Sequence, residues 1–94
     1  MELFMLERES VKQGTKVTFV LPGTDPGAVS VVGDFNDWTP GAHPFRPRKD
    51  GSRAVAAVLP AGQTTAFRYL AEGGHWFDDE SADHHDGQNG HIRT

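Results

Sequence analysis

The 94-residue sequence predicts an all-β domain, a β-sandwich. Three observations carry this. Several short segments alternate apolar and polar residues, the period of a half-buried strand. Turn signals rich in Gly, Pro and Asp-Gly separate them at roughly ten-residue spacing, as in sandwiches. No ten-residue window has helical periodicity. The 11 glycines and 6 prolines suit a turn-rich chain, and the clustered aromatic and β-branched residues argue against disorder. The length predicts one domain over residues 1–94, with room for one core but not for a deep catalytic cleft as well.

Thr15 to Leu21 is the first strand, with Val17, Phe19 and Leu21 on one side and Lys16, Thr18 and Val20 on the other. Pro22 to Gly27 is a loop. Ala28 to Gly33 is a second strand, with Val29 and Val31 sharing a face. Residues 36–47 are irregular and proline-rich, and Lys49-Asp50-Gly51-Ser52 carries a turn signal. Arg53 to Leu59 is a third strand, with Val55, Ala57 and Leu59 facing the core. Pro60-Ala61-Gly62-Gln63 turns the chain into a fourth strand, Thr64 to Ala71, with Phe67, Tyr69 and Ala71 on one face and Arg68 on the other. Gly73-Gly74 makes a hairpin and His75-Trp76-Phe77 starts the return strand. Residues 78–90 read as an acidic, flexible segment, and His91-Ile92-Arg93 as a short closing strand. The expected core is Val17, Phe19, Val29, Val31, Val55, Leu59, Phe67 and Tyr69.

Composition excludes several functions. The chain has no cysteine, hence no disulfide and no thiolate zinc site. Its net charge is −4, and four of its nine basic residues, Arg46, Arg48, Lys49 and Arg53, cluster in one short loop. Nucleic-acid binding needs a broader basic surface. Met1 to Arg8 lacks the basic start and apolar run of a signal peptide, and nothing is long enough to span a membrane. A cytoplasmic location is the resulting expectation. There is no Gly-x-Ser-x-Gly elbow, phosphate-binding glycine loop or cysteine nucleophile, so no enzyme is expected. The run Asp78-Asp79-Glu80 is sequence-local, whereas glycoside hydrolysis needs two carboxylates across a cleft. His84-His85 lie among Asp79, Asp83 and Asp86, with His75 and His91 elsewhere, but adjacent histidines on an irregular segment point apart. No metal and no cofactor is expected.

The two tryptophans carry the functional signal. Trp38 follows the strand end Val31-Val32-Gly33 within an Asn/Asp-rich turn, and Trp76 follows the Gly73-Gly74 turn. Phe35, Phe67, Tyr69 and Phe77 are available as core aromatics beside them, so both tryptophans are free to act as surface plates. Flat apolar plates beside Asn, Asp and Arg suit a ligand with apolar faces and a hydroxyl rim, as in a sugar.

At Gly33-Asp34-Phe35-Asn36-Asp37-Trp38 the chain resembles the glycogen-binding domain of the AMP-activated protein kinase beta subunit. More broadly it resembles the isoamylase N-terminal early-set domain, the family-48 carbohydrate-binding module. Leu59-Pro60-Ala61-Gly62, Phe67-Arg68-Tyr69 and Gly73-Gly74-His75-Trp76-Phe77-Asp78 follow in the family's order, and the resemblance covers residues 14–92. It implies an immunoglobulin-like β-sandwich of early-set type that binds α-1,4-glucan, such as glycogen or a maltooligosaccharide. It implies that Trp38 and Trp76 stack on glucose rings, that Arg68, at the position of a family lysine, reaches a hydroxyl, and that Asn89 completes the site. The family's Gly-x-x-Asn-Asn-aliphatic segment is shortened here to Gly87-Gln88-Asn89-Gly90-His91-Ile92, and the family leucine before it has no counterpart. Asn36 joins the candidate site, although an Asn there also serves as a turn former. The expected function is non-catalytic glucan binding. The alternative is an early-set interaction module that has lost sugar binding and docks on a glucan-metabolising enzyme or another partner.

Overall fold

A computed structural model describes residues 4–22 and 27–94. The strands are β1 (Met5–Val11), β2 (Gly14–Leu21), β3 (Val29–Gly33), β4 (Arg46–Pro47), β5 (Arg53–Leu59), β6 (Thr64–Ala71), β7 (His75–Phe77), β8 (His84–His85) and β9 (Gly90–Arg93), with one 3₁₀ turn at Asp34–Asn36. One antiparallel sheet has the order β1-β2-β5-β4. The other has the order β3-β6-β9-β8, and β7 also pairs with β6. The sheets pack face to face as a β-sandwich, the architecture that the strand pattern predicts. Most of the loop expected at 22–27 lies outside the described residues.

The four strands expected from alternation form within a residue of their predicted bounds. Their inner faces meet in a core of Val17, Phe19, Leu21, Val29, Val31, Leu59, Phe67, Tyr69 and Ile92. Phe19 sits at its centre, with ring centroids 5.3 Å from Phe67 and 6.0 Å from Phe35. Burying each such aromatic contributes about 2–3 kcal/mol. Val55 departs from expectation and is only half-buried. Beyond β5 that sheet continues only as the two-residue β4, which leaves its flank open. Val20, expected on the polar side, is buried between Met5 and Ala54, its neighbours in the adjoining strands.

Two edge strands, β1 and β4, escape the alternation pattern because their own side chains carry no apolar period. The side chains of β1 are mostly charged or polar, and it exists through its seven-residue pairing with β2. β4 holds Pro47, which an edge tolerates because its missing N–H breaks no central ladder. The segment 78–90, expected to be an acidic, flexible and solvated stretch, contains β8 and one buried carboxylate. Asp79 is 3% exposed. It accepts hydrogen bonds from the Tyr69 hydroxyl at 2.5 Å and from Ser81 N at 2.7 Å. Among the described residues no helix is long and apolar enough to cross a membrane.

Candidate functional site

The first half of the site is the turn after β3. Gly33 pairs with Phe67, and a Cβ at Gly33 would lie 2.4 Å from the Ala66 carbonyl oxygen. No side chain fits there, which explains the glycine at the strand end. After the 3₁₀ turn, Asp37 and Trp38 both adopt left-handed backbone, with φ of 54° and 55°. Asp tolerates this conformation, whereas a bulky residue there is strained, at roughly 1–3 kcal/mol. Hydrogen bonds hold the turn in place. Trp38 N donates to Gly33 O at 3.0 Å, and the Trp38 indole Nε1 donates to Asp34 Oδ1 at 3.0 Å.

Asn36 is fully engaged inside this turn. Its Oδ1 accepts from Gly33 N at 3.0 Å, and its Nδ2 donates to Val31 O at 3.0 Å and to His43 Nδ1 at 3.0 Å. The structure thus gives Asn36 the turn-forming role and keeps it off the lining of the site.

The second half is a fork beside β6. Phe77 of β7 pairs with Tyr69, and Gly90 of β9 pairs with Phe67. Both strands therefore flank the same side of β6, one above Arg68 and one below it. Asp78 leaves β7 and Asn89 enters β9 level with Arg68. Strand alternation turns Arg68 away from the core face of Phe67 and Tyr69. Trp76 pairs with Leu70, two residues along from Arg68, and so stands diagonal to it on the outer face.

The Arg68 guanidinium carbon lies 5.5 Å from the centroid of the Trp76 ring, within cation–π range. Its Nε donates to Asp78 Oδ1 at 2.9 Å, and the other Asp78 oxygen lies 3.2 Å from His85 Nε2. Among the described residues the terminal nitrogens of Arg68 make no hydrogen bond. Asp86 ties the loop that carries Gln88 and Asn89. One of its oxygens accepts from Gln88 N at 2.9 Å and Asn89 N at 2.7 Å, while His91 Nε2 lies 2.9 Å from the other. The Asn89 amide, then the His91 ring, then the Gln88 amide hold the Asp86 carboxyl well below the ordinary carboxylate range. The backbone of this loop is thereby tied, and the side-chain amide of Asn89 makes no hydrogen bond among the described residues.

Trp38, Arg68, Trp76, Gln88 and Asn89 together line a shallow, open depression of about 300 Å³. Four of the five residues expected from sequence thus meet in one place. Trp76 is 41% exposed and Trp38 is half-buried. Gln88 was not expected; its sequence signal is adjacency to Asn89 in the shortened segment. Asp34 and Asp78 were not expected either, because each acts by holding a neighbour distant in sequence or in the turn. None of the five lining side chains is a nucleophile or a general base. They offer two indole faces, one cation and two carboxamides, a set suited to a neutral, polyhydroxylated ligand with apolar faces. Among the described residues no three His, Asp or Glu side chains converge on a metal-sized position.

No family model matches the chain. A stretch of 55 residues is 38% identical to the 1,4-alpha-glucan branching enzyme GlgB of Aquifex aeolicus (strain VF5), covering 56% of this chain and 9% of that enzyme. The chain is therefore similar to a small portion of a glucan-modifying enzyme and spans less than a tenth of its length.

Proposed function

We propose that the chain is a non-catalytic α-glucan-binding module of early-set type, directed at glycogen or a related maltooligosaccharide. The observation that carries the reading is the convergence of Trp38, Trp76, Arg68 and Asn89 on one open depression. The similarity to part of a 1,4-alpha-glucan branching enzyme points to the same polymer. On this reading each indole stacks on the apolar face of a glucose unit. The terminal nitrogens of Arg68 and the amides of Gln88 and Asn89 bond its hydroxyls. An open site with two plates and a few hydrogen bonds binds weakly, with a Kd on the order of 10 μM to 1 mM. Longer glucans bind better, since each plate needs its own glucose. Calorimetry with maltoheptaose and co-sedimentation with glycogen test this, with Trp38→Ala as control. Absence of binding by the unmodified chain refutes it.

One observation favours the second reading, a protein-interaction module. Met5 and Val58 are 49% and 50% exposed on the outer face of the β1-β2-β5-β4 sheet, on the far side of the sandwich from the depression. Such a face suits packing against a partner such as a glucan-metabolising enzyme. Loss of partner binding in a Met5→Lys, Val58→Lys variant that keeps glucan affinity would assign that face a separate role.

A further inference from the structure

We infer that Asp34 is a positioning residue that fixes the Trp38 indole for stacking and restricts it to its ring face. The inference rests on the glucan-binding reading for its functional half and on geometry alone for its structural half. The two carboxylate oxygens of Asp34 have two different donors. Oδ1 accepts from Trp38 Nε1 at 3.0 Å, and Oδ2 accepts from Ala66 N at 3.2 Å. Ala66 lies on β6 just beyond Phe67, where the pairing with β3 ends at Gly33. The carboxylate thus takes over as acceptor where β3 leaves the ladder, and the same group ties the indole to that strand.

Three consequences follow. The ring is anchored to β6, two residues from Arg68, so both halves of the depression share one rigid reference. The hydrogen-bonding edge of the indole is occupied from within, so Trp38 offers a ligand its π-face and not its N–H. Finally, both partners are donors and each meets a different oxygen, so holding both in this geometry takes an acceptor at each position. An amide has one oxygen and an NH₂ that cannot accept. Asp34→Asn therefore leaves either Trp38 Nε1 or Ala66 N without its acceptor, although it preserves size.

The test uses the full chain labelled with ¹⁵N, following the two indole N–H resonances and maltoheptaose affinity together. In the unmodified protein the Trp38 indole N–H exchanges with water more slowly than that of the exposed Trp76. In Asp34→Asn that protection falls, the amide spectrum stays dispersed, and affinity drops about two- to tenfold, the range for one lost hydrogen bond. Trp38→Phe, which keeps a plate and removes the N–H, loses a similar amount. Adding Asp34→Asn to Trp38→Phe then costs little more, because both changes break the same tie. Equal exchange rates for the two indoles in the unmodified chain overturn the structural half even if no glucan binds. Unchanged affinity in Asp34→Asn overturns the functional half, as does an equal further loss in the Trp38→Phe background. The Trp38→Phe variant leaves the Asp34–Ala66 bond intact, so it keeps the test decisive should Asp34→Asn unfold.

Discussion

Arg68 lies over the ring of Trp76, its guanidinium carbon 5.5 Å from the centroid, while its Nε donates to Asp78 at 2.9 Å. The cation–π contact and the ion pair engage the guanidinium face and Nε, and among the described residues its terminal nitrogens make no hydrogen bond. A lysine has a point charge and no plane, and it cannot hold both contacts in this way. Arg68→Ala is expected to weaken glucan binding by about 1–2 kcal/mol for one charge-assisted hydrogen bond, and Arg68→Lys by less, since lysine keeps a charged donor but loses the planar contact. The Arg68–Asp78 pair is partly solvated, so either change should alter stability by less than about 1 kcal/mol. Calorimetric titration beside thermal melting separates the two effects. A lysine variant with unmodified affinity would show that only charge matters.

The two tryptophans differ in burial, and their alanine variants should differ accordingly. Trp76→Ala should abolish most glucan binding at a stability cost of about 1 kcal/mol or less, as for an exposed side chain with one cation–π contact. Trp38→Ala should abolish binding as well but cost more stability, about 1–3 kcal/mol, because it loses the indole hydrogen bond and a half-buried ring. Melting temperatures of the pair check the order. A larger loss for Trp76→Ala would contradict the assigned geometry.

Acid sensitivity follows from Asp83 and Asp86. Burial pushes the Asp83 carboxyl up, but the Arg93 amide and the Arg8 guanidinium outweigh it and hold it below its ordinary value. Asp86 is held lower still, by the Asn89 amide, the His91 ring and the Gln88 amide. A carboxyl depressed by folding stabilises the fold above its unfolded pKa of about 3.9, and that contribution fades as pH falls through the folded value. The melting temperature is therefore expected to hold steady down to about pH 4 and to decline below it. Asp83→Asn should flatten the decline. Its Arg8 partner sits 2.7 Å away on β1, so the variant also reports the tie between the two sheets.

Tyr69 carries the buried counterpart. Burial first, and the nearby Asp79 charge second, push its hydroxyl well above the usual phenol value. A group raised by folding favours the folded state at low and neutral pH and loses that contribution as pH climbs past about 10 toward the folded value. Phenolate absorbance should therefore appear only as the protein unfolds in alkali, not before it. Tyr69→Phe should cost about 1–3 kcal/mol, since it strips a donor from the buried Asp79 carboxylate. Denaturant melts measure that loss.

The central strands were legible because their information is local. In β2 and β6 the alternation of Val17, Phe19 and Leu21, and of Phe67 and Tyr69, states which side is buried without reference to any partner. The Gly33 to Trp38 motif was legible for the same reason: turn chemistry is a property of neighbouring residues. In β1 and β4 that information is missing. Glu7, Arg8 and Glu9 or Pro47 become strand only because β2 and β5 offer a ladder to complete.

By itself the sequence determined the sandwich, its strands β2, β3, β5 and β6 and the two tryptophan turns, since periodicity and turn preference act over a few residues. Tertiary structure alone decided that β7 and β9 flank one side of β6, so that Asp78 and Asn89 arrive beside Arg68. It also decided that Asn36 is spent within its turn, that Asp79 is buried under Tyr69, and that Asp34 reaches across to Ala66. These outcomes depend on which distant segments pair. That is set by the joint burial of the whole core and the completion of every strand's hydrogen bonds, and no local stretch of residues contains it.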